Sequence, residues 1–250
     1  HKGHLSLIRE SKKSADITVA SIFVNPTQFN NQEDLEKYPK SDSKDILMLE
    51  ENGCDVLFLP SENEIYPDKK SKQKHFDLGY LETILEGKYR PGHFQGVCLV
   101  VEKLLNTINP DILFLGQKDF QQYMVIKRLI KLTGKKTKLV SCPIFREGSG
   151  LAMSSRNERL NNEERELASE LHTALEVIKN NIGKQNFLEL KFGVMHELES
   201  KGFKIEYLEL AKQNDLEIIS EFEPGENLIV LIAAYLGNVR LIDNVLIMSN

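Results

Sequence analysis

Apolar residues occur along this chain in two rhythms. Ile17 to Val24 (ITVASIFV) is nearly continuous and rich in β-branched residues, as expected of a strand covered on both faces in a parallel sheet. Asp55 to Leu59 (DVLFL), Asp111 to Leu115 (DILFL) and Thr137 to Cys142 (TKLVSC) repeat the pattern. Helical spacing separates them. Between the last two, Phe120, Tyr123, Met124 and Ile130, with the intervening Leu129, are the apolar positions of a helix that runs to Thr133 and stops at Gly134. Strands alternating with helices predict a doubly wound, Rossmann-like α/β domain, with ligands at the carboxyl ends of its strands.

The texture changes after Cys142. Glu147-Gly148-Ser149-Gly150 reads as a flexible segment, and a single long helix is predicted from a cap at Asn161 or Asn162 to Gly183, carrying Leu167, Leu171, Ala174, Leu175, Ile178 and Ile182. Lys204 to Leu210, Leu228 to Leu236 and Val239 to Ile247 read as strands. Only two residues, Gly237-Asn238, join the last pair, so those strands must be antiparallel. Two domains are therefore expected: residues 1–145, parallel α/β, and residues 146–250, a smaller α+β domain with an antiparallel sheet.

Composition narrows the function classes. The chain has 250 residues and a net charge of −5, so it lacks the basic balance of a dedicated nucleic-acid binder. Its longest apolar run, Leu228 to Leu236, is too short to span a bilayer as a helix. Cys54, Cys98 and Cys142 have neither the spacing of a zinc site nor that of a disulfide framework. A cytoplasmic protein with small-molecule ligands is the expectation.

Four polar segments fall at predicted strand ends or helix starts. His1-Lys2-Gly3-His4 opens a helix with two imidazoles on one face and a glycine that admits a close ligand, at an end that favours phosphate. A metal-binding or tag-like terminus would read the same way. Asn25-Pro26-Thr27-Gln28-Phe29 follows a strand, and only Gln28 exceeds what a turn needs. Gly116-Gln117-Lys118-Asp119 follows another, with Gln122 one turn on; Lys118 suits phosphate, and Asp119 serves equally well as a helix cap. Leu151 to Asn157 (LAMSSRN) sets two hydroxyls and a guanidinium behind a glycine-rich loop, where Arg156 could equally form a surface salt bridge.

Taken together, these segments resemble the pantoate–β-alanine ligase (pantothenate synthetase) family of the H-x-G-H nucleotidylyltransferases. The similarity rests on HKGH (1–4), SIFVNPTQF (21–29), YP (38–39), EIYP (64–67), LEGKYRPGHFQGV (85–97), PDILFLGQKDFQQ (110–122), GLAMSSRN (150–157) and AAYLGNVRLIDN (233–244), in the family's order. The resemblance implies that ATP and pantoate, with Mg²⁺, give pantoyl adenylate, which β-alanine then attacks to yield pantothenate and AMP. It implies ATP contacts from His1, Gly3, His4, Gly116, Lys118, Asp119, Phe145, Met153, Ser154, Ser155 and Arg156. Of these, His4, His1, Lys118 and Arg156 are the catalytic candidates, and His4 is the proton donor. Gln28 and Gln122 would hold pantoate, Gln28 also β-alanine, with no metal ligand assigned among the side chains. It further implies a nucleotide- and pantoate-binding first domain, a second domain acting as a lid, and a homodimer.

Adenylation needs positioning and fixed positive charge rather than a side-chain nucleophile, which agrees with cysteines that stand outside every motif. Arg90-Pro91-Gly92-His93-Phe94 is expected to be a tight structural or dimer-associated loop, with no chemical step for His93. A phosphate-binding helix in such a fold is fed by a central strand, so a strand and short loop upstream of His1 are also expected, as the family has there. The competing readings are an adenylylating enzyme acting on another acid or phosphate, and a nucleotide-binding module without catalysis.

Overall fold

A computed structural model describes residues 1–28, 35–36, 42–68 and 72–248. The chain divides into two units, His1–Pro143 and Ile144–Asn250. Phe29 and the Tyr38-Pro39 pair of the family resemblance lie outside the described residues.

In the first unit, α1 (Lys2–Ser14) leads to β1 (Val19–Ser21), and α2 (Asp42–Glu51) leads to β2 (Val56–Phe58). After α3 (Glu62–Ile65), α4 (Leu85–Tyr89) and α5 (His93–Ile108) come β3 (Ile112–Gly116), α6 (Phe120–Leu132) and β4 (Lys138–Cys142). β1 pairs with β2 and β3 with β4, both parallel, so the strands, crossover helices and carboxyl-end loops have the doubly wound pattern.

β1, β2 and β4 are shorter than their apolar runs, β3 is shifted by one residue, and the expectation of two covered faces is corrected for β1 and β2. Ala20, Ile22 and Leu57 pack against Leu5 and Ile8 of α1 and Leu49 of α2, whereas Val19 and Val56 are exposed. Alternation rather than continuous burial follows from helices packed on one side of the pair.

The second unit contains α7 (Asn162–Ala168), α8 (Glu170–Asn181), α9 (Phe187–Ser200), β5 (Phe203–Lys212), β6 (Ile218–Ile219), β7 (Leu228–Leu236) and β8 (Val239–Ile247). The sheet order is β6-β5-β7-β8, and every pairing is antiparallel. Leu236 pairs with Val239 across the Gly237-Asn238 turn. Leu171, Leu175 and Ile178 of α8 and Leu190, Val194 and Leu198 of α9 belong to one core with Leu208, Val230 and Ile232 of the sheet.

The single helix expected after Asn161 is two helices. Asn161 and Glu164 form a capping box at the start. At Ser169 both the backbone N–H (3.2 Å) and Oγ (2.6 Å) donate to the Glu166 carbonyl, a local bond that interrupts the i−4 ladder. Among the described residues, no helix is long and apolar enough to cross a membrane.

Candidate active site

The first unit presents polar loops where its strands end. His1 is the N-cap of α1: its Nδ1 accepts from the His4 backbone N–H at 3.3 Å, and the two imidazoles stack 3.8 Å apart at 19°. No acidic residue occupies the first turn, so the positive end of the helix is not neutralised there. His4 is crowded by protein yet presents a solvent-exposed edge. Burial of the rest of the ring holds its pKa below the ordinary histidine value, with Lys118 acting in the same direction and Asp119 opposing. The ring is thus neutral at pH 7 and offers one N–H.

Lys118 and Asp119 reach this helix start from the end of β3. Their charges act on His4, and Lys118 Nζ lies 3.9 Å from Asp119 Oδ1. Asp119 stands at the N-cap position of α6 without making a side-chain cap bond, so capping does not account for its carboxylate. Gln122 is half-buried in the first turn of α6. Its neighbour Gln121 is buried, accepting from the Glu86 N–H (2.8 Å) and donating to the carbonyls of Leu81 (2.8 Å) and Ile84 (3.0 Å). That side chain ties α6 to the segment leading into α4.

Past the end of β1, a 3-10 turn (Pro26–Gln28) carries Gln28. Buried Asn25 organises it: Oδ1 accepts from the Thr27 N–H, the Thr27 hydroxyl and the Tyr66 hydroxyl (2.9 Å), while Nδ2 donates to the Gly96 carbonyl (3.0 Å). A Cβ on Gly96 would collide with the Thr27 carbonyl, so glycine allows the turn to lie directly on α5. Of Arg90 to Phe94, expected to be a tight loop, residues 90–92 are a turn and His93 and Phe94 open α5, with Gly92 at φ 81° as its N-cap. His93 Nδ1 lies 2.8 Å from the Gln28 carbonyl. Asp119 acts on His93 as it does on His4, so the ends of β1 and β3 share one electrostatic neighbourhood.

Phe145, Met153, Ser154, Ser155 and Arg156 belong to the second unit. Residues 145–153 form a small hairpin, with Met153 N–H donating to the Phe145 carbonyl (3.0 Å) and Glu147 N–H to Leu151 (2.8 Å). Glu147 to Gly150, expected to be flexible, is the turn of that hairpin and is pinned. Glu147 accepts two bonds from Arg165, at 2.8 and 2.9 Å, and one from Asn157 at 3.1 Å. Arg146 makes a two-pronged pair with buried Asp243 on β8, at 2.6 and 3.0 Å. Ser154 caps a 3-10 helix over Ser155–Arg159 by accepting from the Arg156 N–H, and Arg156 is half-buried.

The sequence reading missed Asn25, Tyr66, Gly96, Gln121 and the Arg146–Asp243 pair, which support the candidate residues. Asn25, Tyr66, Gly96, Gln121 and Asp243 do lie inside motifs; nothing local in the sequence says what they hold. Cys98 and Cys142 are buried; burial pushes the Cys98 thiol up to about 12 and raises that of Cys142, so neither is a nucleophile at neutral pH. Among the described residues, no group of three or more His, Cys, Asp or Glu could hold a metal ion.

Comparison with known proteins gives the family. The family model for pantoate–β-alanine ligase matches residues 1–246. Pantothenate synthetase of Cytophaga hutchinsonii is 44% identical over 251 residues, spanning 99% of this chain and 88% of that protein. The enzyme of the same name from Caldicellulosiruptor saccharolyticus is 45% identical, with the same two coverages. Among solved structures, Thermus thermophilus pantothenate synthetase superposes with a TM-score of 0.91 at 35% identity, covering 98% of this chain and 88% of that one. The Francisella tularensis pantoate–β-alanine ligase complexed with β-γ ATP and β-alanine gives 0.80 at 38%, covering 100% and 87%. The chain belongs to the pantoate–β-alanine ligase family.

Proposed function

We propose that this chain joins pantoate to β-alanine at the cost of ATP through a pantoyl adenylate, and that the strand-end cluster of the first unit holds the reacting groups. The observation that carries this reading is the convergence on Asp119: one carboxylate acts on both His4 and His93, so the phosphate-suited helix start and the loop bearing Gln28 face the same neighbourhood. That the Francisella relative was crystallised with a β-γ ATP compound and β-alanine supports both ligands for this chain.

In this reading, pantoate's carboxylate attacks the α-phosphorus and pyrophosphate leaves. Negative charge grows on the phosphate oxygens, and Lys118, the N–H groups at the start of α1 and the single N–H of neutral His4 stabilise it. His4 acts as a hydrogen-bond donor to the leaving phosphates; as a neutral ring it need not release its proton. Gly3 and Gly116 leave room for the nucleotide beside the backbone, while His1 fixes His4 by stacking. Gln28 and Gln122 hold pantoate's hydroxyl and carboxylate, because a carboxamide both donates and accepts. Gln28 also serves β-alanine. Phe145, Met153, Ser154, Ser155 and Arg156 are assigned to ATP by family resemblance, with Arg156 the cation of that group.

With no cluster of metal-binding side chains among the described residues, Mg²⁺ in this reading is carried by the ATP phosphates, whose charge it offsets. A homodimer and a cytoplasmic location complete the proposal. Pantoate-dependent exchange of labelled pyrophosphate into ATP, without β-alanine, is the direct test. Exchange is expected with pantoate and not with other small hydroxy acids. Pantothenate formation without any such exchange would remove the adenylate step.

A further inference from the structure

The segment Arg90 to Gly96 is the part of the site region to which the adenylation reading gives no task, and its chemistry is unusually well determined. His93 is 7% exposed and lies between two partners of opposite hydrogen-bonding character. Its Nδ1 is 2.8 Å from the Gln28 backbone carbonyl, which can only accept. Its Nε2 is 3.2 Å from Arg90 Nη1, which can only donate. A single state satisfies both: the neutral ring with its proton on Nδ1. Protonation would turn a second N–H toward the guanidinium and oppose two positive charges. Arg90 is itself held from behind by Glu86, 3.7 Å away and buried, and the Glu86 N–H is bonded to Gln121 of α6. The chain of contacts therefore runs from the helix carrying Gln122 through Glu86, Arg90 and His93 to the backbone of Gln28.

We infer that His93 is a positioning residue for the acid substrate: by donating to the Gln28 carbonyl it fixes where the Gln28 carboxamide points, and so sets pantoate affinity without touching substrate. The inference rests on Gln28 being a pantoate ligand. A residue needed only for packing would tolerate an isosteric apolar replacement, and its loss would affect all substrates alike. A donor aimed at one carbonyl has a stricter requirement, namely an N–H at the Nδ1 position.

Three variants and a double mutant test this by steady-state kinetics. His93→Ala is expected to raise the KM for pantoate about five- to tenfold, the worth of one lost neutral hydrogen bond, with kcat and the KM for ATP changed less than about twofold. His93→Asn places an amide N–H near the Nδ1 position and should restore most of the pantoate affinity. His93→Gln extends its amide toward the Nε2 position and should not. Gln28→Ala raises the pantoate KM by itself, and adding His93→Ala to it should cost little more, because the two act on one contact.

Equal restoration by Asn and Gln, equal rises in both KM values, or fully additive losses in the double mutant would each overturn the inference. Should His93→Ala not fold, the contrast between Asn and Gln still decides. The two levels of the argument fail separately. If Gln28→Ala leaves pantoate use intact, the assignment of Gln28 is wrong and the inference falls with it. If Gln28→Ala weakens pantoate and His93→Ala does not, only the role of His93 falls.

Discussion

The two units make strands in opposite ways. In the first, β1 and β2 have three residues each, expose Val19 and Val56, and open onto polar loops. In the second, β7 has nine residues, eight of them buried, and β5 and β8 flank it along nearly its full length. Buried polar groups differ accordingly. Those of the first unit, Asn25, His93 and Gln121, make hydrogen bonds to backbone groups: Asn25 and His93 brace the turn that carries Gln28, and Gln121 the segment leading into α4. In the second, buried Asp243 and half-buried Glu147 bind arginines and fasten a hairpin to the sheet and to α7. Substitutions in the first unit should therefore show in kinetics, and those in the second in stability.

The largest effect expected is Asp243→Ala. Removing one partner of a buried two-pronged pair leaves Arg146 without its counter-charge, which typically costs about 3 to 5 kcal/mol. Guanidinium unfolding measures it. A loss below about 1 kcal/mol would mean that the apolar sheet alone holds the hairpin, and the contrast between the units would lose its electrostatic side.

His4→Ala tests the opposite case. Deleting one donor to developing charge should slow adenylation by roughly 10² to 10³. Unfolding free energy and pantoate binding should change little, since the ring is exposed on one edge and is assigned to phosphate in the proposed reading. Single-turnover formation of pantoyl adenylate is the readout, and near-normal formation would take His4 out of the chemistry.

A finer division runs within the first unit. Lys118→Ala should raise the KM for ATP and slow adenylation, whereas Gln122→Ala should act chiefly on pantoate, each by about tenfold, because a point charge serves phosphate and an amide serves hydroxyl or carboxylate. Titrating each substrate against each variant separates them. Equal effects on both substrates would merge the two positions into one undivided site.

What could be read from the sequence follows the same contrast. β7, β8 and their turn match the apolar runs to the residue, because a continuous buried ladder writes itself as continuous hydrophobicity. The apolar runs mark the parallel strands but overstate β1 and β2, since nothing in ITVASIFV marks which residues will lack a covering helix. Helix α9 was missed although Phe187, Leu190, Val194 and Leu198 keep helical spacing behind the Asn186 cap. Charged residues lie closely between those apolar positions, which weakens the signal. Helix α5 was hidden for another reason: Pro91 and Gly92 announce a turn, which is present, but a glycine at φ 81° can also cap a helix. The candidate ligands stood out because their types are surplus to turn-making. Their supports did not, because Tyr66, Gly96 and His93 act through contacts with residues 39 to 69 positions away in the chain.

The smallest effect expected is a dependence of stability on pH that originates in the first unit. Burial, with Arg90 beside it, lowers His93 to about 4, while Gln28, Glu86 and Asp119 pull the other way. Its ordinary value is near 6.5, so between pH 6.5 and 4 the unfolded chain binds a proton that the folded chain refuses. The folded state therefore carries no penalty from this group above about pH 6.5, loses about 1 kcal/mol by pH 5.5, and continues to weaken until the folded ring also titrates near pH 4. His4, lowered in the same direction, adds to the trend. Urea unfolding at pH 7.5 and 5.5 measures the slope, and His93→Asn, which keeps the donor but cannot titrate, isolates the share due to His93. That variant should lose about 1 kcal/mol less between the two pH values than the parent. An unchanged difference would mean that the folded ring takes up its proton near the ordinary histidine value despite Arg90, and the exclusion of the protonated form argued from its two partners would be wrong.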